Sequence, residues 1–233
     1  MPELPEVETT LRGIRPYLEG ESIQRFKVFE SRLRWPVAPE LPEILAGAKF
    51  GTIHRRGKYL IFALPGIGNL IVHLGMSGSL RVLKNDQDRR QHDHLEWALT
   101  SGWHLRYHDP RRFGCVLFAQ EPDQHPLLRN LGPEPLGPSF SGGSLFERSR
   151  QRTTSIKALI MDSSVVVGIG NIYANEALFL ARISPFRRAL DLSLSDCECL
   201  VRAIQGVLAC AIEKGGTTLR DFVNASGQPG YFR

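Results

Sequence analysis

The stretch LGPEPLGPSFSGG at 131–143 divides the chain into two halves with different residue patterns. Three prolines and four glycines in thirteen residues are too many for a helix or a ladder strand. It reads as a linker between a domain over 1–130 and a domain over 144–233. On its N-terminal side, residues from about 58 to 120 form short apolar runs punctuated by turns: KYLIFAL, NLIVHL, SLRVL, HLEWAL, WHLRYH and CVLFA. β-Branched and aromatic residues at this spacing predict antiparallel strands in a sandwich or barrel, with HLEWALT-SG-WHLRYH as a hairpin. A helix precedes them: Val7, Leu11, Ile14 and Leu18 recur at helical spacing, Pro5 suits a first turn, and Gly20 follows. On the C-terminal side the period is helical throughout, in SLFERSRQR, SIKALIMD, NIYANEALFLARI and SDCECLVRAIQGVLACAIEKGG. Ser195 and Glu198 are expected to cap the last of these helices, and Gly215 to end it.

The 233 residues are 42% hydrophobic, sufficient for two cores. With 29 Lys+Arg against 24 Asp+Glu, the formal charge of +5 has the sign an anionic partner would favour. No apolar run reaches the roughly 20 residues that cross a membrane, and the acidic N-terminus is not a secretory signal. Cys115, Cys197, Cys199 and Cys210 form no C-x-x-C pair, so reduced thiols of a cytosolic protein are expected.

MPELPEVE (1–8) admits two readings. As a helix start, it offers a proline and first-turn acids, which helices favour. As a reactive centre, loss of Met1 would leave Pro2 as a secondary amine beside Glu3 and Glu6. An α-amine has a pKa near 8 against about 10.4 for lysine, so far more of it is neutral at pH 7. Such an amine can attack an electrophilic carbon, while one carboxyl group gives a proton and the other orients the amine. HRRGKYLIF (54–62) puts Lys58 at the entrance of a strand. HLGMSGSL (73–80) carries Met76 on a turn, and YHDPRRFG (107–114) carries Arg111 and Phe113 on another. An apolar wedge with an arginine is what a protein needs to unstack a base and fill the gap. VVVGIGNIYANEALF (165–179) has a glycine turn opening a helix at Asn171, suited to a phosphate. Arg148, Arg150, Arg152 and Lys157 make a basic stretch. The tail GGTTLRDFVNASGQPGYFR reads as a loop able to close over a ligand. The seven histidines show no metal pattern.

In this order MPELPEVET, GKYL, HLGMSGSL, DPRRFG, LGPEPL, VVGIGNIYANEAL and GGTTLRDF with PGYF closely resemble formamidopyrimidine-DNA glycosylase, over essentially the whole chain. The resemblance implies an N-terminal helix and antiparallel β-sandwich, then an all-α domain with a helix–two-turn–helix. It implies a monomeric base-excision glycosylase acting on oxidised purines in damaged double-stranded DNA, with lyase activity by β,δ-elimination. Pro2 would attack C1′, Glu3 would donate a proton, Glu6 would support the site and Lys58 would assist elimination. Met76, Arg111 and Phe113 would fill the gap left by the flipped base. His92, Arg111, Arg152 and Asn171 would hold DNA. Thr217, Thr218, Leu219, Arg220, Asp221 and Phe222 would cap the lesion, with Glu176 and Lys157 in support. Members of the related endonuclease VIII group share the N-terminal pattern and act on oxidised pyrimidines. A DNA-binding module without catalysis is the other alternative. The family pattern continues after PGYF into a four-cysteine zinc finger, whereas this sequence stops at Arg233. As given, no metal site is expected, and one zinc only if the native chain continues.

Overall fold

Val7, Leu11, Ile14 and Leu18 are buried along one side of α1 (Leu4–Leu18), as their spacing predicts. The computed structural model describes residues 1–85 and 87–216, so the expected lesion-capping residues Thr217 to Phe222 lie outside the described residues. After α1 come β1 (Ile23–Val28), α2 (Leu41–Leu45), β2 (Ile53–Arg56), β3 (Tyr59–Leu64), β4 (Gly68–His73), β5 (Ser79–Lys84), β6 (Asp93–Leu99), β7 (Trp103–His108) and β8 (Cys115–Ala119). They form two four-stranded antiparallel sheets, ordered β1-β6-β7-β5 and β2-β3-β4-β8. Leu60, Phe62, Leu70 and Val72 of one sheet share a core with Leu95, Trp97, Leu105 and Tyr107 of the other and with the apolar side of α1. The expected sandwich is therefore present, and the β6–β7 hairpin turns through Thr100-Ser101-Gly102, with Gly102 at φ 84°.

Three elements lack a sequence signature: β1, α2 and β2. Arg25 and Lys27 interrupt β1, β2 ends in two arginines, and α2 has only five residues, so none shows a long apolar period. β6 departs from alternation altogether, since all seven of its residues are buried. Its outer side carries His94 and Glu96. Arg106 on β7 binds Glu96 Oε2 at 2.6 Å and donates to the carbonyls of Gln87 and Asp88, which draws the preceding loop over the sheet.

The chain divides into two compact units, Pro126–Glu213 forming the second and Met1–His125 with 214–216 belonging to the first. The second unit holds α3 (Gly142–Ser149), α4 (Ile156–Met161), α5 (Asn171–Leu180) and α6 (Leu194–Glu213). The Pro/Gly-rich stretch packs into this unit: Gly132 N donates to Ser163 O at 2.8 Å, and Gln205 Nε2 to Pro135 O at 3.1 Å. A Cβ on Gly142 would lie 2.7 Å from Glu198 Cα, so glycine lets α3 lie against α6. The cap of α6 falls earlier in the chain than expected. Ser193 Oγ accepts from Asp196 N at 3.1 Å, and Asp196 Oδ2 accepts from Ser193 N at 2.9 Å, so Ser193 and Asp196 form the reciprocal pair instead of Ser195 and Glu198. No helix among the described residues is long and apolar enough to cross a membrane.

Candidate active site

Glu3 caps α1, and its amide donates to Glu6 Oε2 at 2.8 Å. Pro2, Glu3 and Glu6 are all buried, Glu6 completely. Burying two carboxylates at a surface helix start is costly, and the positive end of the helix dipole offsets only part of that cost. A helix start alone does not require this arrangement. Met1 stands on Pro2 and lines a cavity of about 530 Å³ with Arg34, His73, Gly75, Met76, Arg112 and Phe113.

Lys58 reaches this region from a hairpin turn, because β2 and β3 pair Arg56 with Tyr59 and leave only Gly57 and Lys58 between them. Burial holds its ammonium below the ordinary lysine range, against the opposing pull of the Glu3 and Glu6 carboxylates. Burial, with the Lys58 and Arg34 charges, also drives the His73 imidazolium down to about 4. His73 is therefore neutral near pH 7, and its Nδ1 accepts from Gly75 N at 3.0 Å.

The two loops that carry Met76 and Arg111-Phe113 are joined at their base by Asp109, which is fully buried. Asp109 Oδ1 accepts from Ser77 Oγ at 2.8 Å and Oδ2 from Gly114 N at 2.9 Å. Ser77 Oγ in turn accepts from Arg111 N at 3.2 Å, and His94 Nε2 donates to Asp109 O at 2.8 Å. The backbones touch: a Cβ on Gly75 would lie 2.4 Å from Gly114 N, and one on Gly114 2.3 Å from His73 O. Each loop tip can then stay in solvent while its base is fixed. Met76 is 36% exposed and Phe113 46%, with the Arg111 guanidinium 4.7 Å from the Phe113 ring centre. Exposed apolar tips on a rigid base can enter a partner without collapsing onto their own fold.

His92 is exposed and precedes β6 with φ 69°, whereas His94 is buried and structural. In the helical unit, Arg152 and Asn171 are exposed, Asn171 as the first residue of α5 after Gly170. Glu176 is exposed on α5 and Lys157 is half-buried in the first turn of α4. The basic stretch is partly structural: Arg148 Nη1 donates to Ser164 O at 2.9 Å, and Arg150 Nη2 to Leu192 O at 2.5 Å. Sequence reasoning passed over Asp109, Ser77, His73 and Arg34. Asp109 and Ser77 stand inside the two quoted motifs, but their burial and their bond to each other depend on how the two loops pack, which residue order does not show.

Among the described residues, no three His, Cys, Asp or Glu side chains gather where a metal could be held. Cys197, Cys199 and Cys210 lie on α6, where the first and last are about 20 Å apart at 1.5 Å per residue. These cysteines therefore do not fit a tetrahedral zinc site, which needs four donors at about 2.0–2.3 Å.

The chain is matched by the formamidopyrimidine-DNA glycosylase N-terminal domain model over residues 1–116 and by the H2TH domain model over 131–223. It is 54% identical over 233 residues to the formamidopyrimidine-DNA glycosylase of Pseudomonas paraeruginosa, covering 100% of this chain and 86% of the relative. The crystal structure of MutM (Fpg) from Thermus thermophilus superposes with a TM-score of 0.87 at 39% identity, over 98% of this chain and 84% of that one. The complex of Lactococcus lactis Fpg with DNA containing an abasic site gives 0.89 at 33% identity, over 97% of this chain and 84% of that one. The chain belongs to the formamidopyrimidine-DNA glycosylase family.

Proposed function

We propose that this protein excises oxidised purines, 8-oxoguanine and formamidopyrimidines, from duplex DNA and then cleaves the strand through an imine on Pro2. The observation that carries the reading is a buried Pro2 heading a buried carboxylate pair, with both carboxylates acting on Lys58. Removal of Met1 frees the proline nitrogen. Its lone pair attacks C1′ of the flipped nucleotide, and the base leaves with the glycosidic bond pair and takes up the proton that the proline nitrogen loses. The nitrogen lone pair then opens the sugar to the iminium as the ring oxygen takes a proton from Glu3. The iminium then acidifies C2′–H. Lys58, which feels the charge of both carboxylates, assists by accepting that proton as the 3′ phosphate leaves, and Glu6 holds the helix start through the Glu3 amide.

Met76, Arg111 and Phe113 fill the vacated space, which accounts for large side chains held in solvent. His92, Arg152 and the start of α5 at Asn171 bind the phosphate backbone. Thr217 to Phe222 cap the lesion, and Glu176 and Lys157 support the helical side. Relatives crystallised with abasic-site DNA support the partner and the lyase step.

Borohydride trapping tests the reading. The Met1-processed protein is expected to cross-link to duplexes carrying 8-oxoguanine opposite cytosine or an abasic site, and to thymine glycol more slowly. Equal trapping by Pro2→Gly protein, or by protein whose mass shows Met1 retained, would remove the proline mechanism. Faster trapping on thymine glycol would select the oxidised-pyrimidine reading.

A further inference from the structure

The turn that presents Lys58 is held by side chains outside the reacting set. Arg56 pairs with Tyr59, so Gly57 and Lys58 are the two central residues of a hairpin turn, and Gly57 takes φ 58°. In a two-residue turn the peptide between the central residues can flip, which interconverts the I′ and II′ forms and swings the second residue's side chain. The carbonyl of that peptide belongs to Gly57. Arg55 Nη1 donates to it at 3.0 Å, and Arg55 Nε donates to Glu8 Oε2 at 3.0 Å. The other Glu8 oxygen accepts from Arg12 Nε at 3.0 Å. The Arg55 and Glu8 side chains are only 12% and 18% exposed.

We infer that Glu8 and Arg55 are positioning residues for Lys58, locking the Gly57–Lys58 peptide to the same helix that carries Glu3 and Glu6. The inference rests on the lyase reading for its purpose, and on the geometry for its substance. A planar guanidinium donates in two directions at once, to a carboxylate on α1 and to a backbone carbonyl in the turn. Lysine, with one nitrogen, bridges such a pair poorly. Burial alone would raise the Glu8 carboxyl, but hydrogen bonds and charge from Arg55 and Arg12 hold it below the ordinary range, so the clamp stays ionised near neutral pH. Glu3 and Glu6 from α1 and His73 from β4 face Lys58, and Glu8 and Arg55 stand behind its turn. Registering the lysine to α1 keeps these distances fixed while the DNA moves.

The test uses the full chain with Arg55→Met, Glu8→Ala and Arg55→Lys. Acetylation of Lys58 by acetic anhydride, followed across pH by mass spectrometry without DNA, reads the lysine directly. Strand cleavage per trapped complex on abasic DNA reads the function. With the turn released, burial of Lys58 relaxes. In Arg55→Met and Glu8→Ala the acetylation midpoint is expected to rise by about one unit, a tenfold change in the neutral fraction at fixed pH. Cleavage per trapped complex is expected to fall by about tenfold, and Arg55→Lys to restore neither. An unmoved midpoint in the folded variants, or full restoration by lysine, overturns the inference. If the wild-type protein fails to trap on abasic DNA, the lyase reading falls instead, while the acetylation profile still decides the clamp.

Discussion

Asp109→Asn is the most searching single substitution for how the two loops are held. The side chain is fully buried and accepts from Ser77 Oγ at 2.8 Å and Gly114 N at 2.9 Å. An amide has one acceptor oxygen, so one side of the asparagine must present N–H₂. Facing Gly114 N, it sets donor against donor. Facing Ser77, it asks the hydroxyl to turn and accept, although that oxygen already accepts from Arg111 N at 3.2 Å. Either way one buried donor is frustrated, and a charge-assisted bond becomes neutral, for a cost of about 2–3 kcal/mol. Urea unfolding measures the cost. Single-turnover excision of 8-oxoguanine, against cleavage of an abasic site in the same duplex, measures the consequence. The proposed role of the loop tips is base eviction, so excision is expected to slow by about tenfold or more relative to abasic cleavage, each tenfold step being about 1.4 kcal/mol. A variant losing less than about 0.5 kcal/mol, or slowing both reactions equally, would refute Asp109 as the link between the loops.

Gly114→Ala places a Cβ 1.8 Å from Tyr107 Oη and 2.3 Å from His73 O, so a stability loss on the order of 1–3 kcal/mol is expected in thermal unfolding, and an unchanged melting curve would contradict the close approach. His73 has its folded-state pKa depressed from 6.5 to about 4, so its contribution to stability is fully present above pH 6.5 and is lost as pH falls toward 4. Unfolding free energy measured across that window is expected to fall less steeply in His73→Gln than in wild type. Arg152→Ala removes an exposed charge from the proposed phosphate track. Fluorescence anisotropy on undamaged duplex is expected to show the slope of log K against log salt shallower by about one, with stability within about 0.5 kcal/mol.

Local rules go a long way in this protein. The 3.6-residue recurrence of Val7, Leu11, Ile14 and Leu18 is a property of the chain itself, and α1 forms with that side buried. β3, β4, β7 and β8 are legible because their apolar runs are bounded by turn residues. β1 and β2 are not, since their charged residues gain partners only from other elements, as Lys27 does from Glu96 at 3.6 Å and Arg55 from Glu8 at 3.0 Å. The α6 cap lies at Ser193 because two capping-box patterns overlap there, and the hydrogen bonds made by Asp196 decide between them.

The site divides along the same line. Sequence by itself determined which groups are present: a proline at position 2 with two acids, a lysine after glycine, and a methionine, an arginine and a phenylalanine among turn-forming residues. Those are covalent facts, and residue order suffices to state them. Only the tertiary structure decided that Glu6 is wholly buried, that Lys58 lies under the influence of Glu3 and Glu6, and that one aspartate fixes both loops. Desolvation and charge coupling depend on what the rest of the chain brings within a few ångströms. That requires the fold to bring together residues dozens of positions apart, such as Ser77 and Asp109, and no local pattern encodes it.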